Sequence, residues 1–273
     1  MRHDGVSLRW VGVEDTRFLD PGYYEDVGTV ELTASHGLAL RSGAWHLGAD
    51  AALTGGLAYA KGGLAAATGR TDADEFYGRV SLSGTAQRSI GKAWGIGARL
   101  FAGSTISNDT PVKQRQTYLA GGDPYEQLYN PFLRSRGALL VRPNFYYQTV
   151  GGAELRGYDP RLSTIGVVAG NVELERYLRM APKAKLFSRV SAVAFGDFGQ
   201  TISDGTIVRP GRKLGFLADA GVGLRAEHQV GDRRITTRVE FPLWVSRPEL
   251  AQDTHPGTAE VGFRWLVGLG ATF

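Results

Sequence analysis

The 273-residue chain contains no cysteine and only 2 methionines. A disulfide framework is therefore excluded, and the missing thiols are compatible with an oxidising compartment. The sequence also lacks any uninterrupted apolar run near the roughly 18 residues that a transmembrane helix needs. Apolar residues make up 42% of the chain, yet its mean hydropathy is −0.17, so polar residues are interspersed evenly among them. A helical membrane protein is excluded.

The chain also lacks a large excess of positive or negative residues. The net charge of +4 is spread along the chain, without a basic cluster of the kind that follows a phosphate backbone, so we expect no nucleic-acid partner. The residues from Met1 to Val6 contain no apolar stretch and no small-residue cleavage site, and thus no secretion signal. We therefore expect this chain to be a fragment of a longer exported protein.

Arrangements typical of an enzyme are also missing. None of the five histidines lies beside a serine in a nucleophile-elbow context, and the glycine pairs do not precede helices. The acidic group Asp72, Asp74 and Glu75 lacks the spacing of a calcium-binding loop and indicates a solvated loop. We expect no enzymatic activity, cofactor or metal. An outer-membrane phospholipase is the best enzymatic alternative, but the alternation places His46 on the polar face of its strand, away from a lipid-facing rim.

The sequence does contain a repeated alternation with a period of two residues. Val80, Leu82, Gly84 and Ala86 are small or apolar, whereas the residues between and around them are polar. Such alternation predicts strands with two different faces. Ten strands are predicted, most of them as long as the roughly 9–11 residues that cross a bilayer at a tilt: 6–15, 27–40, 45–60, 76–89, 93–104, 167–179, 185–197, 213–228, 233–246 and 261–273.

The connections between these strands alternate in length. Short turns are predicted at 41–44, 89–92, 179–184 and 229–232, and long connections at 16–26, 61–75, 105–166, 198–212 and 246–260. Transmembrane barrels have short periplasmic turns and long external loops. For the alternation alone, a half-buried soluble sheet remains an alternative. Together, strand length and loop order predict an all-β fold, a transmembrane antiparallel β-barrel that forms one domain over residues 1–273.

The chain ends on an amphipathic strand with a terminal aromatic residue. Apolar residues occupy alternate positions up to the end, among them Trp265, Leu269, Ala271 and Phe273. This pattern resembles the signal by which outer-membrane barrels are delivered to their assembly machinery. The alternative is an ordinary edge strand that ends in phenylalanine.

The long loop 105–166 contains two glycine pairs and the triplet Arg156-Gly157-Tyr158. Loops of this length are usually functional. The triplet, preceded by an apolar residue and a glycine pair, resembles the hallmark loop motif of the BamA/TamA-type superfamily, the bacterial surface antigen family. Members of that superfamily assemble outer-membrane proteins or export polypeptides, and they include the two-partner-secretion transporters.

The resemblance covers roughly residues 76–273. Five strands follow the loop, as in the family, and the segments 171–175, 194–199 and 238–243 are similar to its strand motifs. The family barrel is usually sixteen-stranded, so the resemblance implies that these ten strands are its C-terminal part. One departure is the segment Asp123 to Val150, which separates the two glycine pairs and would extend the external loop or plug the lumen.

The resemblance also implies a role for the triplet. A guanidinium is always charged and presents a planar fork of donors, so in a confined interior it requires a carboxylate. In the family the loop folds back into the barrel and its arginine meets acidic wall residues. The expected partner of Arg156 is Asp197, with Glu173 as the second choice. Gly157 would permit a tight turn, and Tyr158 would add a stiff ring. The alternative is a solvated loop arginine.

The implied function is insertion or translocation of polypeptides at the bacterial outer membrane. Its partners would be the lipid bilayer, a client polypeptide and the assembly machinery. Two alternatives remain open: a plain pore, and a barrel accessory to an upstream patatin-like or peptidase domain.

Overall fold

The computed structural model describes residues 2–12, 25, 27–60, 75–108, 111–125, 147–149, 151–180, 187–202, 214–230, 233–251 and 259–270. The fold is all-β. The strands are β1 Arg2–Gly12, β2 Val27–Ser42, β3 Trp45–Ala60, β4 Glu75–Ile90, β5 Trp94–Ser107, β6 Thr117–Tyr118, β7 Tyr147–Thr149, β8 Ser163–Thr164, β9 Gly166–Met180, β10 Arg189–Thr201, β11 Phe216–Val230, β12 Arg233–Val245 and β13 Leu266–Leu269. Within these segments, no helix has the length and apolarity required to cross a membrane.

Ten strands form one large antiparallel sheet in the order β1-β2-β3-β4-β5-β9-β10-β11-β12-β13. Every neighbour is the next long strand along the chain, as the alternating connections predicted. The sheet is not closed into a barrel: β1 pairs with β2 along one edge, and the short strand β7 pairs in parallel with β13 at the other. The predicted all-β antiparallel architecture is thus confirmed.

Strand ends differ from the prediction at both edges of the sheet. The first strand begins at Arg2 and ends at Gly12, and the last is confined to Leu266–Leu269 among the described residues. The difference at β13 arises from its pairing, because β12 opposes it only from Thr237 to Glu240. The short turns 43–44 and 91–93 lie at one end of the sheet, and the strand ends Gly12, Val27, Ala60, Glu75 and Ser107 lie at the other.

The two faces of the sheet differ sharply. We call the face that packs against the connection between β5 and β9 the inner face, and its opposite the outer face. On β5, Arg99 and Phe101 point inward and are buried, whereas Leu100 between them is 65% exposed. The same alternation continues in β4, where Tyr77 is buried and Phe76 is exposed.

The outer face is a broad apolar surface. Its exposed side chains include Val6, Leu8, Trp10, Leu32, Leu53, Leu82, Leu100, Val168, Leu174, Phe198, Phe216, Val222 and Leu224. Contiguous exposed apolar surface of this extent is rare on soluble monomers, where the largest patch is about 300–600 Å². A polar pair, Asp4 with His36, lies on this face between β1 and β2.

The connection from β5 to β9 is called the internal loop, and two of its described parts, residues 111–125 and 151–165, lie against the inner face. Its first arm, 111–125, contains β6, and its second arm, 151–165, contains β8. The arms bind each other through the β6–β8 pairing and through Leu155 N–H, which donates to Leu119 O at 2.8 Å. Leu119, Leu155 and Leu162 pack with Val167 and Leu217 of the sheet in one buried apolar cluster. Within the long loop predicted at 105–166, the two described arms are therefore packed against each other and against the sheet.

Candidate functional site

Arg156 lies at the centre of a buried ionic cluster on the inner face. Its Nε and Nη2 atoms donate to the two carboxylate oxygens of Asp197 on β10, each at 2.7 Å. Its Nη1 donates to Glu173 on β9 at 2.6 Å and to Glu240 on β12 at 3.1 Å. The guanidinium also stacks on the Phe195 ring, 3.7 Å from the centroid. One loop side chain thus joins three strands.

Two further arginines complete the charge balance of this cluster. Arg225 on β11 donates to both oxygens of Glu173, at 2.5 and 2.7 Å, and to Glu240 at 3.0 Å. Arg238 on β12 donates to the other oxygen of Glu240 at 3.1 Å, and it lies 3.4 Å from Glu154 of the second arm. Asp197, Glu173 and Glu240 therefore each meet at least one guanidinium, which offsets the large cost of burying their charges.

Asn171 connects the cluster to the loop main chain. Its amide donates to Asp197 Oδ1 at 3.0 Å and to the carbonyl of Glu154 at 3.0 Å. Its own oxygen accepts from Arg99 on β5, whose other nitrogen donates to Gly152 O at 2.9 Å. These bonds fix the second arm at β5, β9 and β10. We name Arg156 and its carboxylate partners the dry anchor, because the side chains of Arg156, Asp197 and Glu240 are fully buried.

Gly157 and Tyr158 attach the next residues of the loop to β11 and β12. A Cβ at Gly157 would meet Val245 Cγ1 at 2.6 Å and Asp219 Cβ at 2.9 Å, so only glycine fits at this approach. The Tyr158 hydroxyl donates to Ala218 O at 2.9 Å. Its backbone forms a bridge with Ala251. The triplet therefore contributes three features to the wall formed by β9 to β12: the charge of Arg156, the close backbone approach at Gly157 and the hydroxyl of Tyr158.

A second ionic cluster, which we name the wet anchor, binds the first arm to β1, β2 and β4. Arg115 donates to Glu31 on β2 at 3.1 Å and to Asp123 of its own arm at 2.5 Å. Arg79 on β4 donates to Asp123 at 3.0 Å, and Arg9 on β1 donates to Glu31 at 2.6 Å. The side chains of Arg9, Arg79 and Asp123 are 26%, 22% and 22% exposed, respectively.

Two tyrosines complete the wet anchor. Tyr125 of the first arm stacks under Arg115, 3.6 Å from ring centroid to guanidinium carbon, and its hydroxyl shares a hydrogen bond with Thr29 at 2.8 Å. Tyr77 on β4 donates to Glu31 at 2.8 Å. The stacking adds a cation–π attraction to the ion pairs.

The loop groups of both anchors are held in their charged forms. Burial alone would lower the pKa of Arg156, but Asp197 and Glu240 raise it well above its ordinary value. Burial alone would raise the pKa of Asp123, but Arg115 and Arg79 hold it well below its usual range. Glu154 behaves differently, because burial raises its pKa despite the nearby Arg238. The loop is thus bound by permanent charges at both anchors.

A cavity of about 860 Å³ lies between the first arm and the inner face of β1 to β5. The wall contributes Ser7, Thr33, Thr54 and Ser81, and the loop contributes Gln116 and Thr117. Beneath the dry anchor, in contrast, the apolar cluster and the ionic network fill the space. The two halves of the inner face therefore differ in how closely the loop covers them.

The structure brings Arg156, Asp197 and Glu173 of the sequence analysis together, and Gly157 and Tyr158 lie beside them. The sequence analysis did not predict three members of this cluster: Glu240, Arg225 and Arg238. The two-residue alternation along β11 and β12 could have identified them, because it places all three side chains on the inner face. The wet anchor was missed entirely, because its residues are spread over four segments. Leu269 lies in β13, and Trp265 directly precedes it. Ala271 and Phe273 lie outside the described residues, as does most of the segment 123–150.

Among the described residues, no group of three or more histidine, aspartate or glutamate side chains is arranged to hold a metal ion. The sequence matches no protein-family model, and no curated protein matches it significantly.

Proposed function

We propose that this chain is the membrane-embedded part of an outer-membrane β-barrel that inserts or translocates polypeptides, as its resemblance to the BamA/TamA-type superfamily implies. The observation that carries the proposal is the dry anchor. A long loop between two sheet strands folds back onto the inner face, and its arginine binds carboxylates from three strands there. A plain pore would explain the two-faced strands but not the Arg156-Gly157-Tyr158 motif of this loop.

The two faces of the sheet support the membrane setting. Apolar side chains cover the outer face while charges and hydroxyls line the inner one, which is the pattern of a lipid-facing wall around a polar interior. Long connections at one end and short ones at the other follow the same architecture. In such a setting the open edges at β1 and β13 must pair with further strands, because unpaired backbone groups are costly in lipid.

Aromatic side chains near both ends of the outer face add to this support. Trp45 and Trp94 lie beside the short turns, and Trp10, Phe76 and Phe216 lie toward the long connections. From Trp45 to Tyr59, β3 would cover about 46 Å at 3.3 Å per residue, or about 35 Å after a tilt near 40°. That span suits a bilayer core with its two interfaces, where aromatic belts form.

The proposed mechanism involves no covalent chemistry. The dry anchor holds the internal loop against β9 to β12 and so keeps that wall rigid. An unpaired edge of the sheet then offers main-chain donors and acceptors to a client strand, which binds by strand addition. Polypeptide would pass or assemble beside a wall whose shape the loop maintains.

The test uses purified protein in phosphatidylcholine vesicles, with a urea-unfolded eight-stranded outer-membrane barrel protein as the probe. We expect wild-type protein to accelerate insertion of the probe, measured as its heat-modifiable gel mobility. Arg156→Ala should abolish most of that acceleration and Arg156→Lys should restore only part, since an ammonium cannot reproduce the bidentate contact. Arg41→Ala, at the exposed β2–β3 turn, is the control.

Three outcomes would contradict the proposal. No acceleration by wild-type protein would remove the insertion function. Equal activity of the Arg156→Ala variant would remove the anchor from the mechanism. Ion conductance without assisted insertion would favour the plain pore.

A further inference from the structure

We propose that Arg115 is a second positioning residue of the internal loop, and that the wet anchor, rather than the dry one, releases when the interior opens. Release would separate β1 to β4 from the loop while the loop stays on β9 to β12. This inference rests on the proposed function, because it identifies the wall along which a client polypeptide would gain space.

The two anchors bind opposite halves of the sheet and share no residue. Arg115 acts on β1, β2 and β4 through Glu31 and Asp123. Arg156 acts on β9, β10 and β12 through its three carboxylates. One loop therefore spans the inner face as a tie between two walls, and each end can in principle be released separately.

The anchors differ in their access to water. Two ion pairs of the wet anchor join the loop to the wall: Arg79–Asp123 is partly hydrated, with each side chain 22% exposed, whereas Arg115–Glu31 is fully buried. In the dry anchor, Arg156 and Asp197 are fully buried, and Glu173 is 4% exposed. Separating a dry pair leaves an unsolvated charge, whereas separating a partly hydrated pair does not. The wet anchor is therefore the weaker attachment, because it has one buried and one partly hydrated ion pair to the wall, whereas Arg156 alone donates four buried hydrogen bonds.

Main-chain hydrogen bonds hold both arms of the internal loop on the wall formed by β9 to β12. Leu119 N–H donates to Leu162 O at 2.9 Å, which ties the first arm to the second. Asp159 N–H donates to Leu250 O at 3.1 Å, which ties the second arm to the segment after β12. When the walls part, these main-chain bonds can stay intact. The contacts that break are those of Arg115, Asp123 and Tyr125 with the wall, the hydrogen bond from Gln114 to Glu25 O, and the packing of Val112 against β2, β3 and β4.

The cavity already lies at the surface along which this separation would occur. It is bounded by hydroxyl-bearing side chains of β1 to β4 on one side and by Gln116, Thr117 and Asp123 on the other. Its widening would expose the hydroxyls of Ser7, Thr33, Thr54 and Ser81 beside the Phe101 ring, and these hydroxyls suit an extended polypeptide whose main chain must keep its hydrogen bonds.

The first experiment measures single-channel conductance in planar lipid bilayers. Arg115→Met should raise the open fraction roughly five- to tenfold, as expected for loss of one charged hydrogen bond between the loop and the wall. Arg115→Lys should lie between that variant and wild type. The control is Arg189→Met, because Arg189 pairs with Glu227 between wall strands and does not involve the loop. An unchanged open fraction in Arg115→Met would overturn the inference.

The second experiment tethers the wet anchor, which the absence of native cysteine makes simple. In Thr29→Cys/Tyr125→Cys, a short bis-methanethiosulfonate bridge should bring the open fraction below that of wild type, and reductant should reverse the effect. The control pair Leu38→Cys/Ala49→Cys links register partners of β2 and β3 on the outer face, and its bridge should change nothing. Equal open fractions with and without the Thr29–Tyr125 bridge would overturn the inference.

Amide hydrogen exchange separates failure of the inference from failure of the proposed function. Arg115→Met should accelerate exchange at residues 111–118 and leave residues 153–162 unchanged. This result is expected whether or not the protein inserts a client. Exchange that accelerates equally in both arms would show that the loop is released as one unit, which would overturn the inference even if the vesicle test succeeds.

Discussion

Arg156 and Gly157 are neighbours in sequence, yet the fold uses opposite properties of the two residues. Arg156 supplies the largest charge-bearing side chain to a site with four oxygen contacts at 2.6 to 3.1 Å. Gly157 supplies no side chain where the loop backbone comes closest to β11 and β12. The hydrogen bonds of Arg156 require its guanidinium to be placed within a few tenths of an ångström. The close backbone approach at Gly157 makes that placement possible.

We predict that Gly157→Ala destabilises the protein by about 1–3 kcal/mol, because the new methyl group overlaps Val245 and Asp219 in a packed site. The measurement is the free energy of unfolding by urea in detergent micelles. Gly84→Ala is the matched control, since a Cβ there meets nothing within 4 Å. Comparable losses in the two variants would show that close packing at the triplet is unimportant.

A second prediction concerns the pH dependence of the wet anchor. The pKa of the Asp123 carboxyl is lowered in the folded protein by Arg115 and Arg79, which outweigh the opposing effect of burial. Its stabilisation is therefore fully present above the unfolded pKa of about 3.9 and is lost as the pH falls through the lower folded value.

The corresponding measurement compares wild type with Asp123→Asn. We expect the difference in unfolding free energy to stay constant from pH 7 to about 5 and to shrink below about pH 4. A difference that instead shrinks between neutral pH and about 5 would mean that Asp123 is not held charged by its neighbours.

At the scale of elements, each long strand has one apolar and one polar face. Leu82 and Ser83 are adjacent on β4, and Leu82 is 52% exposed on the outer face. In a lipid-facing wall, arginine at Leu82 should cost about 2–4 kcal/mol near the bilayer midplane, whereas arginine at Ser83 should cost little. Ser83 opposes Asp50 of β3, which would attract the new charge.

The measurement is the fraction of protein that folds into lipid vesicles from urea. We expect Leu82→Arg to lower this fraction strongly and Ser83→Arg to leave it near the wild-type value. If the two variants fold equally well, the outer face does not contact lipid, and the proposed location in a membrane would be wrong.

Elements also differ in how well the sequence predicts them. The long strands β2 to β5 and β9 to β12 are predicted by the alternation of apolar and polar residues. This alternation extends over many residues, so one polar residue at an apolar position does not obscure it. The two-residue strands β6 and β8 carry no such signal, because their pairing depends on contacts between residues more than forty positions apart. The starts of β1 and β13 were misplaced for a related reason, since neighbouring strands decide where pairing begins.

At the scale of the whole molecule, the internal loop connects two walls that the sheet alone leaves far apart in strand order. The dry anchor joins β9, β10 and β12, and the wet anchor joins β1, β2 and β4. Between them lies β5, which contacts the loop through Arg99 and Thr105. The described arms of the loop therefore contact strands near both ends of the strand order.

The sequence by itself determined the all-β class, the order of the long strands and the inward or outward direction of most side chains. It could do so because a period of two is a local property of the chain. It also singled out Arg156 with Asp197 and Glu173, though through a resemblance. The third carboxylate, the wet anchor and the open edges of the sheet were decided only by the tertiary structure. These features depend on distances between segments far apart in sequence, which no local pattern contains.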